Sequence, residues 1–223
     1  MSILKKMELF NFDIEEKKNS MPLFSSNNSN GFDFIIGTDE AGRGPAAGGV
    51  WAAAVCFKND IDYSLFEKLN DSKKLSEKNR ENLFDIIKNN SFYSIKSVDV
   101  EKIEEINILN SSLLAMKLAV EDVINQLNST NTLTLVDGNK LIKNFNHQQK
   151  FIIKGDSKSA SIAAASILAK VSRDNFMKEI DKIFPMYDWK SNKGYLTKKH
   201  IEAIKNFGAC KYHRMSFLKN ILD

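Results

Sequence analysis

Gly37-Thr38-Asp39-Glu40-Ala41-Gly42-Arg43-Gly44-Pro45-Ala46-Ala47-Gly48-Gly49-Val50 follows directly on the apolar run Phe32 to Ile36. The run reads as a buried strand, so the strand ends on two adjacent carboxylates and opens into a glycine-rich loop with one arginine. Side chains alternate across a regular strand, so Asp39 and Glu40 converge only if the chain bends, and Gly42 and Gly44 can supply the bend. Two acids on one edge repel unless a cation lies between them. An oxygen-rich, histidine-poor set suits Mg²⁺ or Mn²⁺. Taken alone, Asp-Glu is equally at home in an ordinary strand-to-turn junction with both acids solvated. The loop argues otherwise: N–H groups freed by glycines, together with Arg43, form an anion-binding surface beside the acids. That combination suits a phosphate ester.

Working outward, two further strands end the same way. Thr132-Leu133-Thr134-Leu135-Val136-Asp137 precedes Gly138-Asn139, and Phe151-Ile152-Ile153-Lys154 precedes Gly155-Asp156. Each could be a plain Asp-Gly or Gly-Asp turn. Together, Asp39, Glu40, Asp137 and Asp156 supply the four carboxylates of a two-metal hydrolase, gathered where strand ends lie side by side.

The rest of the chain alternates strands and helices. Val50 to Phe57 reads as a strand, Ser76 as the N-cap of a helix, and Phe92 to Val98 as a strand. A long helix is expected over Asn107 to Leu127, another over Ser161 to Lys182, and a last one over Lys198 to Phe207, stopped by Gly208. The alanine-rich start of the second of these predicts close packing on the sheet. Residues 1 to about 30 differ in kind, with Ser25-Ser26-Asn27-Asn28-Ser29-Asn30 as a polar linker. They read as a poorly ordered, dispensable extension.

Composition sets bounds. The net charge is +4 over 223 residues. Lys190, Lys193, Lys198, Lys199, Lys205, Lys211, Arg214 and Lys219 face a single acid, Glu202, over the same stretch. A basic C-terminal segment beside an acidic site suits a nucleic-acid hydrolase, with cations for phosphates and carboxylates for metals. Two cysteines, Cys56 and Cys210, form no framework, so a reducing cytoplasm is expected. No apolar run approaches the roughly 20 residues that span a bilayer. The histidines His147, His200 and His213 lack zinc-site spacing, and there is no GxSxG, G-x-G-x-x-G or Walker A motif.

From Phe32 to Phe217 the chain resembles the ribonuclease HII family. The resemblance is carried by Gly37 to Val50, by Asp71-Ser72-Lys73-Lys74-Leu75-Ser76, by Asn107-Ile108-Leu109 with Leu114-Ala115-Met116, and by the continuous run Ser161 to Asp174. Gly194-Tyr195-Leu196-Thr197, His200, and His213-Arg214 with Ser216-Phe217 complete it. The chain departs at Gly49 and Leu196, where the family usually has proline, and at Lys140-Leu141, Glu104-Glu105 and Ser111-Ser112. The departure at Leu196 implies a less rigid loop beside Tyr195.

The resemblance implies an α/β, ribonuclease H-like fold: a mixed five-stranded sheet flanked by helices, with a small helical C-terminal subdomain. It divides the chain into an extension (1–30), a catalytic domain (31–185) and a substrate-covering segment (186–223). It further implies that Asp39, Glu40, Asp137 and Asp156 hold two Mg²⁺ or Mn²⁺ ions. Gly42, Arg43 and Gly44 would contact the 2′-hydroxyl and adjoining phosphates, Ser72 and Lys73 the phosphate backbone, and Tyr195 the deoxyribose beyond the ribonucleotide. Asp174 is assigned a structural role. The implied reaction is hydrolysis on the 5′ side of a ribonucleotide in RNA/DNA hybrids or ribonucleotide-containing duplex DNA, leaving 3′-hydroxyl and 5′-phosphate, by a cytoplasmic monomer. The alternatives are the type III relative, which needs no RNA–DNA junction, and a non-catalytic duplex-binding protein on the same fold.

Overall fold

The computed structural model describes residues 3–19, 31–70, 72 and 75–222. Its centre is a five-stranded sheet in the order β3-β2-β1-β4-β5, built from β1 (Phe34–Ala41), β2 (Val50–Phe57), β3 (Ser91–Val98), β4 (Thr132–Asp137) and β5 (Gln148–Ile152). β1 is antiparallel to β2 and parallel to β4, so the sheet is mixed. Both faces are covered, and β2 shows how. Val50, Ala52, Ala54 and Cys56 face the helix α3 (Val100–Leu127), whereas Ala53 and Val55 face α2 (Glu77–Asn89) and α4 (Ala160–Ile183). That is the period of two of a strand buried on both sides.

Helix α4 lies close because its contact residues are small. Ala160, Ala163, Ala164, Ala165 and Ala169 are all fully buried. At Gly37 a Cβ would fall 2.2 Å from the Ser161 carbonyl carbon, so only glycine lets strand and helix backbones meet. The expected Ser76 cap is in place, accepting from Asn79 N–H, and Thr197 accepts from His200 N–H to open α6 (Lys198–Phe207). The long helix starts seven residues earlier than expected, capped by Asp99, because Asn107 sits at φ 65° inside it. Asn107 does act as a cap, accepting from Asn110 N–H, but for the second half of a kinked helix.

The expectation of an unordered N-terminal extension fails for residues 3–19. They form a helix, α1 (Ile3–Asn19), whose Phe10 is buried against Phe57, Tyr63 and Phe66. Asp13 accepts a hydrogen bond from Ser161 N–H at 2.8 Å, supplying a negative charge at the N-terminus of α4. Glu16 pairs with Lys150, and Lys17 C=O accepts from Phe32 N–H. The Ser/Asn-rich linker lies outside the described residues.

The C-terminal segment joins the body through an apolar cluster of Ala46, Ala47, Met177, Ile180, Tyr187, Trp189, Ile204 and Leu218. Glu104 fastens it further, accepting from both Ser216 N–H and Ser216 Oγ.

Candidate active site

The sheet opens where the carboxylates stand. Pairing between β1 and β4 ends at Thr38↔Val136, and the next residues on these parallel neighbours are Asp39 and Asp137. β1 meanwhile stays paired with β2 through Ala41. Asp39 and Asp137 therefore stand side by side where β1 parts from β4, and Glu40 lines the same gap. An open cavity of ≈ 310 Å³ fills the gap, lined by Asp39, Glu40, Ala41, Gly42, Arg43, Gly44, Ser72, Asp137, Ser166, Lys170, Arg173 and Tyr195.

Charge in this cavity is poorly compensated. Burial, then the Glu40 and Asp137 charges, hold the Asp39 carboxyl well above the usual carboxylate range. Burial also raises Glu40, opposed by Arg43, whose Nη1 lies 3.2 Å from Glu40 Oε1. Among the described residues, no three His, Cys, Asp or Glu side chains already form a metal-holding cluster. Each acid is turned onto a protein donor instead. Asp39 Oδ1 accepts from Glu40 N–H, Asp137 Oδ1 from Gly155 N–H at 2.6 Å, and Glu40 from Arg43. The donors are all oxygens, they repel one another, and no imidazole or thiol lines the cavity. That set fits a hard divalent cation once the side chains turn inward.

Of the residues expected at the site, Asp39, Glu40, Asp137, Gly42, Arg43, Gly44, Ser72 and Tyr195 come together here. Asp156 stands apart from the lining, half-buried in the 3₁₀ turn Gly155–Ser157, although its neighbour Gly155 donates to Asp137. Lys73 lies outside the described residues. Ser72 is buried, its hydroxyl 2.9 Å from that of Ser166, which in turn hydrogen-bonds Asp39. It reaches the acids through Ser166 rather than offering itself openly to a phosphate. Asp174 pairs with Lys170 at 2.7 Å, holding that ammonium at the cavity wall.

The sequence reading missed what shapes the loop. Two fully buried guanidiniums lie beneath it. Arg214 donates to the carbonyls of Gly42, Arg43, Gly48 and Gly49, and Arg173 to those of Ala47, Gly49 and Lys193. With these carbonyls drawn inward, the loop is held by its oxygens, and the positive charge below favours an anion above. A Cβ at Gly42, at φ +101°, would fall 2.2 Å from Arg173 Nε. Burial lowers Arg173 to about 10 and Arg214 to about 9, so both stay charged at neutral pH. Arg214 therefore does not belong to the exposed basic surface to which its sequence position assigned it, unlike Lys198, Lys199, Lys205 and Lys211. The available signal was the i, i+4, i+7 spacing of Ser166, Lys170 and Arg173, which places them on one face of α4.

Tyr195 is 52% exposed, and its ring lies beside Gly44, where a Cβ would sit 3.3 Å from Tyr195 Cε1. Behind it, His200 and His213 are buried, with Nε2 atoms 3.1 Å apart, so neither contacts phosphate. Burial and the neighbouring imidazole push His213 down to about 4. Its ring is thus expected to remain neutral in NMR titrations well below the usual midpoint near 6.5; a normal midpoint would show it to be solvated. Because the unfolded chain binds this proton first, His213 costs stability as pH falls from about 6.5 towards 4. Asp13, raised by burial to about 6, has the opposite sign over an overlapping range.

Comparison with known proteins agrees with this geometry. The family model described as Ribonuclease HII matches residues 36–220. A protein of Caldicellulosiruptor bescii named Ribonuclease HII is 50% identical over 213 residues, covering 95% of each chain. The Ribonuclease HII of Fusobacterium nucleatum is 50% identical over 190 residues, covering 85% of this chain and 87% of its own. Among solved structures, the PCNA:RNase HII complex from Archaeoglobus fulgidus aligns with TM-score 0.66 and 25% identity, covering 82% of this chain and 94% of the other. Bst-RNase HIII in complex with Mn²⁺ shares the fold at TM-score 0.66 and 16% identity, covering 91% and 76%. Since the family match takes in the acid-bearing strands, the glycine loop and the C-terminal segment alike, and half of all residues recur in relatives of nearly equal length, the chain belongs to the ribonuclease HII family.

Proposed function

We propose that Asp39, Glu40, Asp137 and Asp156 hold two Mg²⁺ or Mn²⁺ ions, and that the 42–44 loop with Tyr195 directs cleavage to the 5′ side of a ribonucleotide followed by deoxyribose. By family, the chain is a metal-dependent endonuclease of the ribonuclease H class acting on the RNA strand of RNA/DNA hybrids. Bound divalent ions supply the positive charge that stabilises attacking water and leaving oxygen in phosphodiester hydrolysis. The protein does the positioning. Arg43 and the loop N–H groups face the ribonucleotide, where a 2′-hydroxyl can both donate and accept. Arg43, which pairs with Glu40 at 3.2 Å, would be free to meet a phosphate were Glu40 to hold a metal. Lys170 and the buried Arg173 and Arg214 keep the surroundings positive, and residues 186–223 cover the duplex. Asp156, in the 3₁₀ turn beside the Gly155 N–H that holds Asp137, would complete the set. Two free cysteines, one buried, accord with a reducing cytoplasm, where the chain is taken to act as a monomer.

The observation that carries junction reading is the Tyr195 ring set beside Gly44 at the mouth of the carboxylate cavity. Tyr195→Ala is expected to lower kcat/KM on duplex DNA with one embedded ribonucleotide by about 5- to 150-fold, the range for losing 1–3 kcal/mol of aromatic platform. Cleavage of a long RNA/DNA hybrid, which offers few such junctions, is expected to be slow even for the unaltered protein. Equal rates on both substrates, untouched by Tyr195→Ala, favour the type III behaviour instead.

A further inference from the structure

We infer that His200 is a positioning residue for junction reading: its Nδ1–H, oriented by His213, fixes the Tyr195 carbonyl and with it the ring that meets the substrate. This rests on the reading of Tyr195 given above and adds the device that holds it.

The direction of the hydrogen bonds follows from groups that can only donate. Cys210 N–H lies 3.0 Å from His213 Nδ1, so that nitrogen is the acceptor and the proton of the neutral ring is on Nε2. His213 Nε2–H then donates to His200 Nε2. The Trp189 indole N–H, another obligate donor, also points at His200 Nε2 from 3.0 Å. His200 Nε2 accordingly carries no proton, and its Nδ1–H donates to the Tyr195 carbonyl at 2.9 Å. A directed chain thus runs from the backbone at Cys210, through two imidazoles, to the backbone of one exposed aromatic.

Packing holds the chain in line. His213 is met edge-on by Tyr187 at 4.7 Å, and Tyr187 stacks on Trp189 at 4.9 Å. The depressed pKa values of both histidines keep them neutral, as this direction requires. The neighbouring peptide is tied to the reading loop, since Gly194 C=O accepts from Ala46 N–H. The imidazole bond also restrains the turn through Leu196, where Thr197 N–H bonds the same Tyr195 carbonyl.

Two substitutions separate the ends of the ring. His200→Gln can keep an acceptor near Nε2 for Trp189 and His213 but removes the donor to Tyr195. His200→Asn keeps a donor near Nδ1 but removes the Nε2 acceptor. The experiment measures kcat and KM for both, and for Tyr195→Ala, with Mg²⁺, on duplex DNA bearing one ribonucleotide and on a uniform RNA/DNA hybrid. His200→Gln is expected to lower the junction-to-hybrid ratio of kcat/KM by roughly 10-fold, below the 10²-fold that a 1 Å misplacement can cost. His200→Asn is expected to restore most of that ratio whichever variant melts lower. Equal losses on both substrates, or an Asn variant no better than Gln, overturn the inference. If Tyr195→Ala shifts the ratio and His200→Gln does not, the positioning role alone falls. If Tyr195→Ala leaves the ratio unchanged, the reading of Tyr195 falls and takes this inference with it. Independently of any variant's folding, ¹⁵N spectra of the unaltered protein are expected to place the proton on Nδ1 of His200 and Nε2 of His213; the opposite tautomers refute the chain.

Discussion

Asp39→Asn is expected to yield a folded protein that cleaves at least about 10³-fold more slowly with Mg²⁺, a loss of several kcal/mol of transition-state stabilisation. The amide keeps the oxygen that accepts from Glu40 N–H, so local geometry survives. What disappears is a buried negative charge facing Glu40 and Asp137. Without metal that charge opposes folding, so the variant is expected to melt higher, by about 2–4 °C for each kcal/mol of repulsion relieved. The gain shrinks as pH falls, because the native carboxyl, with its raised pKa, then takes up a proton and loses the same repulsion. Asp137→Asn is expected to lose activity likewise, keeping in its amide the oxygen that accepts from Gly155 N–H. Near-normal Mg²⁺-dependent cleavage by Asp39→Asn would sink the metal assignment.

Removing residues 1–30 is expected to lower the melting temperature by roughly 5–10 °C, the shift for about 2–3 kcal/mol in a chain of this size. Burying Phe10 contributes about 1.5–3 kcal/mol, whereas the bond from Ser161 N–H offsets only part of the desolvation that raises Asp13 to about 6. Part of this is offset by the entropy of ordering α1. The two contacts can be told apart. Phe10→Ala leaves the cap but opens space among Phe57, Tyr63 and Phe66, while Asp13→Ala leaves the aromatic cluster and frees Ser161 N–H. An unchanged melting temperature for the truncated chain would show that α1 does not hold its place in solution.

The strands were the most legible part of this protein. Thr132 to Asp137 stands as read, because alternation, β-branched residues and an Asp-Gly end all agree there. The convergence of Asp39, Glu40 and Asp137 was legible from strand ends alone, although its cause, the parting of β1 from β4, was not. Asp156 shows the limit of that logic. Its strand ends at Ile152, and Lys154, at φ 55°, turns the chain before the acid is reached. The docking of α1 was hidden because its apolar residues, among them Leu9, Phe10 and Phe12, are interleaved with charged ones and followed by a serine- and asparagine-rich linker. His200, His213, Arg173 and Arg214 were hardest to place. They are residue types that favour water, and nothing local announces that their partners are carbonyls and rings distant in sequence.

The arginines beneath the loop also impose an order in time. Arg214 lies 172 residues beyond Gly42 and 166 beyond Gly48, whose carbonyls it holds. At synthesis rates of about 5–20 residues per second, a ribosome needs on the order of 10–30 s to travel from one to the other. Through that interval the nascent chain carries Asp39, Glu40 and the glycine loop, and gains Asp137, Asp156 and Arg173, before it has the guanidinium that holds the Gly42 and Gly48 carbonyls. A chain that ends between Asp156 and Arg214 holds all four acids but lacks the guanidinium that draws in the carbonyls of Gly42 and Gly48. The carbonyls of Gly42 and Gly48 therefore gain this cation only after all four acids have been made.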